Sequence, residues 1–221
     1  ATSNRSRFAS CFLASSLMPF ALQAADLVKW DFTGESSPAT STADVINTNL
    51  TSSGTLTRGP GATSSTASNS FRTQGFQNNG IATTNTDYFQ TTLKAATGYT
   101  LSLSAIDARF AGTSGFAVTP GVNSQFAYSL DGTNFTLIGS PQATIGTPAT
   151  LTQISLTGIT QLQGVPDTTT VTIRYYASGQ TTTGGWGFNS PSSGTFGLAI
   201  TGELSAGADT IAPTLASTVP L

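Results

Sequence analysis

Histidine is absent from all 221 residues, and cysteine and methionine occur once each. Without an imidazole there can be no Ser-His-Asp triad, histidine general base or histidine metal site. The lone Cys11 lies in an N-terminal apolar run, so the body of the chain has no thiol for disulfides, nucleophilic attack or metal binding. Charge is scarce as well: eight Lys and Arg against ten Asp and Glu, 8% of residues, with a net charge of −2. Phosphate recognition needs clustered basic residues, so direct contact with nucleic acid is not expected. Glu, Lys, Arg and Met are sparse, which removes most of the strong helix formers.

In their place stand 40 Thr and 27 Ser, with 13 Phe, 5 Tyr and 2 Trp. Thr, the β-branched residues and the aromatics suit a half-buried pleated sheet, and the aromatics supply large anchors for a core. The chain length fits one β domain with short appendages.

Arg5 and Arg7 precede an uncharged apolar run over residues 8–25 that ends in small residues. Basic residues, a short apolar run and a small-residue exit form the pattern of a secretory signal peptide, and the run is too short to span a membrane comfortably. A buried N-terminal helix is the alternative, but Pro19 would break it. Residues 1–25 are therefore expected to direct export. The mature chain, cut after Ala24 or Ala25, would be secreted or held at the cell surface with no transmembrane segment. It keeps six basic and ten acidic residues.

Beyond the leader, residues 27–34 (LVKWDFTG) alternate, with Val28, Trp30 and Phe32 on one face. Residues 35–70 are rich in Ser, Thr, Gly and Asn and read as a long peripheral loop, with a turn at Pro60. Phe89 and Leu93 share a face in residues 87–95. Residues 98–110 alternate through Tyr99, Leu101 and Leu103, then change parity to Ile106, Ala108 and Phe110, which predicts a β-bulge near Ala105. Residues 126–140 (FAYSLDGTNFTLIGS) read as a hairpin turning at Asp131 and Gly132. Val171, Ile173, Tyr175 and Ala177 face one way in the next strand, and Phe196, Leu198 and Ile200 align in the last. Eight to ten strands with no helix predict an all-β, antiparallel β-sandwich of jelly-roll type over residues 26–204. Residues 205–221 read as a linker, and their DTIAPTLASTVP portion resembles the opening strand of a bacterial Ig-like domain.

Asp31, Asp87, Asp107, Asp131, Asp167 and Glu203 could supply a glycosidase carboxylate pair only if two of them faced one another across a cleft. Each has a simpler turn or surface explanation, and the chain is not expected to be an enzyme. No cofactor is expected. Calcium is the one ion that oxygen-rich loops of this kind suit, with Asp131 and Asn134 as candidate ligands, although DGTN is explained more simply as a turn that caps its own backbone. The candidate ligand site is the glycine-rich segment 179–194, where exposed Trp186 and Phe188 would stack on a sugar ring and Asn189 would bond its hydroxyls. The alternative is that Trp186 caps the core. Arg174 and Tyr176 join the candidate site from the face opposite Val171 and Ile173, or simply form an outward sheet face.

The succession of Trp30-x-Phe32, residues 56–59 (LTRG), Tyr88-Phe89, Tyr128-Ser129-x-Asp131-Gly132, Arg174-x-Tyr176 and residues 194–196 (GTF) resembles a bacterial exported β-sandwich domain. Domains of this kind occur in surface proteins with PEP-CTERM-type sorting signals and at the N-termini of large secreted proteins. The resemblance implies an accessory or adhesive module and supplies no catalytic residues. Two functional expectations follow: a non-catalytic module that binds extracellular polysaccharide or cell-surface components, and a structural spacer for a larger secreted enzyme, nuclease or phosphatase, or for an anchored surface protein.

Overall fold

The computed structural model describes residues 24–207. The proposed leader up to residue 23, including Cys11, and the proposed Ig-like onset after residue 207 lie outside the described residues. In chain order the strands are β1 (Ala25–Trp30), β2 (Ser41–Thr42), β3 (Val45–Ile46), β4 (Thr55–Arg58), β5 (Ser70–Thr73), β6 (Phe89–Leu93), β7 (Tyr99–Gly112) and β8 (Val122–Ser129). There follow β9 (Thr136–Leu137), β10 (Gln142–Thr144), β11 (Ala149–Thr150), β12 (Ile154–Ser155), β13 (Val165–Pro166), β14 (Val171–Ser178), β15 (Trp186–Asn189) and β16 (Leu198–Ala206). A 3-10 turn at Thr160–Leu162 is the only helical element among the described residues.

The strands form two antiparallel sheets packed face to face, a β-sandwich. The first runs β3-β1-β16-β7-β15-β5, with β11, β12 and β13 also pairing with β7; the second runs β10-β8-β14-β6-β4-β2, with β9 on β8. The first and last strands are neighbours, and Ala25 pairs with Gly202.

Each major strand is shaped by its period-2 pattern. In β7, Leu101, Leu103 and Ala105 are buried and the buried set then shifts to Ile106, Ala108 and Phe110. The shift coincides with a break in register against β16, where Thr201 pairs with Ala105 and Gly202 with Leu103, leaving Ser104 as the extra residue. A second bulge at Leu27 lets Leu27 and Val28 both enter the core, where simple alternation would turn Leu27 outward. The 126–140 hairpin forms as expected, Ala127 pairing with Leu137 and Tyr128 with Thr136.

Aromatic rings fill the space between the sheets. Tyr175 from the second sheet packs on Phe110 and Phe188 from the first, with centroids 5.1 and 5.0 Å apart, and its hydroxyl accepts the Trp186 indole N–H at 2.8 Å.

Three local expectations require correction. Residues 35–70 are not a peripheral loop: they contribute β2, β3 and β4 to the sheets, and Leu56 is buried. Their small residues permit close packing, since a Cβ on Gly59 would collide with the Thr86 carbonyl. Phe196 does not belong to the last strand, which begins at Leu198; it lies partly buried in the preceding loop. The face of β14 opposite Val171 and Ile173 is not an open surface. Residues 77–88 and the hairpin tip cover it, so that Thr172 and Tyr176 are buried too.

A groove on the outer face of the first sheet

The two aromatics of the glycine-rich segment are core packing and not exposed stacking rings. Trp186 and Phe188 are the inward residues of β15, each 0% exposed, and neither offers a ring face to a sugar. Phe188 contacts Phe32, Phe89, Phe110, Phe126 and Tyr175. The intervening Gly187 is required because a Cβ there would strike the Phe71 carbonyl of β5; Gly179 and Gly184 give way to the Phe116 ring. Asn189 is spent on structure, its amide donating to the Asn69 carbonyl at 2.8 Å and the Ser70 hydroxyl at 3.1 Å.

Arg174 is clamped between the Tyr88 and Phe135 rings, its guanidinium carbon 3.8 and 3.6 Å from their centroids. Its nitrogens donate to Gln90 Oε1 at 2.8 Å and to the Tyr88 hydroxyl at 3.1 Å. The buried Tyr176 hydroxyl donates to the Thr83 carbonyl at 3.3 Å. This cluster glues the covering loops onto the second sheet, and its stacking faces are occupied by the protein itself.

Asp131 and Asn134 form a self-capping turn. Asp131 Oδ1 accepts the backbone N–H groups of Thr133 and Asn134 and the Ser129 hydroxyl, while Oδ2 accepts the Asn134 amide at 2.7 Å. These hydrogen bonds, the Asn134 side chain foremost, hold the carboxyl well below its usual range. Both oxygens are engaged within the turn, and no group of three or more potential metal-ligating residues occurs among the described residues.

Five of the six acids considered for catalysis are separately engaged. Asp31 accepts the Thr33 hydroxyl and the Gly194 N–H at 2.6 Å each, Asp167 accepts the Gly98 N–H at 2.6 Å, and Glu203 accepts the Ser205 hydroxyl at 2.5 Å. Asp87 is buried, which pushes its carboxyl up, and its Oδ2 has no partner. Asp107 accepts both contacts of the Gln153 amide, at 3.1 and 3.0 Å.

Asp107 instead belongs to an open groove of about 390 Å³ on the outward face of the first sheet. Lys29, Ala199 and Asp107 lie in register across β1, β16 and β7. The short Ala199 between two long polar side chains makes the floor of a trough. Thr201 extends the floor, and Arg109, two residues along β7, lines it beside Asp107. One wall is the segment Gly194–Phe196, which Asp31 pins through the Gly194 N–H and which Ser192 and Thr195 brace at 3.0 Å. Lys29 Nζ pairs with Asp26 at 2.7 Å and lies 4.8 Å from the Phe196 centroid. The groove thus offers a partly buried aromatic ring, two carboxylates, an amide nearby and two cations over a small-residue floor. A second cleft of about 300 Å³ between the Thr113–Phe116 and Thr181–Gly185 segments has only neutral lining, and its Phe116 ring is buried.

Sequence reasoning missed this groove. Lys29, Asp107 and Arg109 all stand at outward positions of their strands, which alternation does reveal. That β1 and β7 flank β16, and that the loop before β16 carries Phe196 to their side, is set by tertiary pairing. Arg58 was missed too: it is half-buried within residues 35–70, with its guanidinium 3.7 Å from the Phe71 centroid and donating to the Pro38 and Arg72 carbonyls.

Fold and groove together define an antiparallel β-sandwich with an open, polar sheet-face cleft. Compared with known proteins, the chain matches no protein-family model and no curated protein.

Proposed function

We propose that this is a non-catalytic, exported recognition module whose ligand is an extracellular polysaccharide, held in the groove between Lys29, Asp107, Arg109 and Phe196. The observation that carries the reading is the coexistence of a partly buried ring at the groove wall with hydrogen-bonding donors and acceptors over a small-residue floor. Sugars present C–H faces to aromatic rings and hydroxyls to charged and amide groups, so they use both halves of such a surface. The groove is open and its floor stands on three paired strands, as suits a chain-like ligand. Against catalysis, histidine is absent, and the two groove carboxylates are committed separately, Asp26 to Lys29 and Asp107 to Gln153.

The spacer reading has one observation in its favour. Because Ala25 pairs with Gly202, the described chain enters and leaves the sandwich at the same end, a geometry suited to a domain carried on a stalk. The two readings are compatible and are separated by a binding screen. The protein is tested against immobilised polysaccharides beside Phe196→Ala and Trp186→Phe. Binding is expected to fall at least tenfold in Phe196→Ala and to persist in any folded Trp186→Phe. A well-folded protein that binds nothing would leave the spacer reading alone.

A further inference from the structure

Resting on the groove as the recognition site, we infer that its ligand is an acidic polysaccharide, with a uronic acid carboxylate on the Arg109 guanidinium and a sugar ring along Phe196. Four charged side chains line the groove. Three are answered within the protein: Lys29 and Asp26 by one another at 2.7 Å, and Asp107 by the Gln153 amide. The Arg109 guanidinium has no hydrogen-bond or ion-pair partner among the described residues; its only bonds are those of its backbone, whose N–H donates to the Gly197 carbonyl at 2.9 Å. The other arginines of the body that reach partners are consumed by them: Arg58 by two carbonyls and a ring, Arg174 by two rings and an amide.

A guanidinium is a planar fork of donors that matches the two oxygens of a carboxylate, and neutral hydroxyls fill it less completely. Arg109 projects from the longest strand of the molecule, so the fork is held by a sheet and not by a loop. Lys29, tied to Asp26 and lying against Phe196, fixes the opposite side of the groove and leaves Arg109 as the free cation. A neutral glycan could engage Asp107, Gln153 and Phe196 yet would leave the Arg109 fork to water.

The test titrates the whole chain with polygalacturonate, alginate and hyaluronan, each beside its methyl-esterified form, and repeats the series with Arg109→Gln and Phe196→Ala. Thermal melts establish that each variant is folded. At least one acidic polymer is expected to bind at least tenfold more tightly than its ester. Arg109→Gln should abolish that difference. Equal affinity for acid and ester, lost in Phe196→Ala but untouched by Arg109→Gln, would overturn the acidic specificity and leave the groove standing. A preference for acid that survives in Arg109→Gln would overturn the role of Arg109. Binding to neither form would overturn the groove reading and this inference together.

Discussion

The Tyr175 hydroxyl lies between the sheets, 2.8 Å from both the Trp186 indole nitrogen and the Ser124 hydroxyl. Full burial pushes its phenol far up, the bonds to Ser124 and Trp186 notwithstanding, so it stays neutral and serves both partners. Tyr175→Phe would leave a buried indole N–H and a buried serine unpaired. Urea unfolding should show a loss of about 2 kcal/mol. Thr91 is the opposite case: it faces the core at 3% exposure beside a void of about 10 Å³, and its hydroxyl has no partner. Thr91→Val keeps the shape and removes the orphan group, so stability should rise by about 1 kcal/mol. The melting temperature should increase by about 2–4 °C for a domain of this size. An unchanged or lower melting temperature would mean that the hydroxyl finds a partner in solution.

The elements differ in how far the sequence discloses them. The parity change in β7 was readable because a bulge displaces every later side chain to the other face, and Ile106, Ala108 and Phe110 record that displacement. The hairpin was readable because Asp131 and Gly132 carry turn chemistry between two alternating runs. Its carboxyl, held low by the Asn134 amide and the backbone donors, makes a pH-dependent contribution with a definite sign. Stability from the turn is fully present above the ordinary carboxylate value of 3.8 and is lost as pH falls below it toward the depressed folded-state value. The stability difference between the protein and Asp131→Ala, followed by thermal melts, should therefore be constant near neutral pH and shrink below pH 3.8. By contrast, β15 reads as a loop in the sequence because its glycines look like turn residues. Gly187 is there so that β15 can approach β5, and no local signal distinguishes those two uses of glycine.

At the scale of the whole molecule, the sandwich followed from composition and alternation, although the described residues form sixteen strands where eight to ten are expected, because many are only two residues long. Two-residue strands such as β11, β12 and β13 add little pattern of their own and are recruited by the edge of β7. The site was less legible. Trp186 and Phe188, set among glycines between two alternating runs, have the local pattern of loop aromatics, yet burial is where large rings are most stable. The groove residues are distributed over positions 26–31, 107–109 and 194–201 and meet only because the first and last strands pair and β7 flanks the last.

Amide shift mapping by NMR, with an oligosaccharide from the tightest-binding polymer titrated into labelled protein, tests the central claim most directly. The account predicts that the largest shifts fall on Lys29, Asp107, Arg109, Phe196, Ala199 and Thr201, with the Trp186 indole N–H unmoved. Shifts centred on residues 179–185 or around Arg174, with the groove silent, would contradict it.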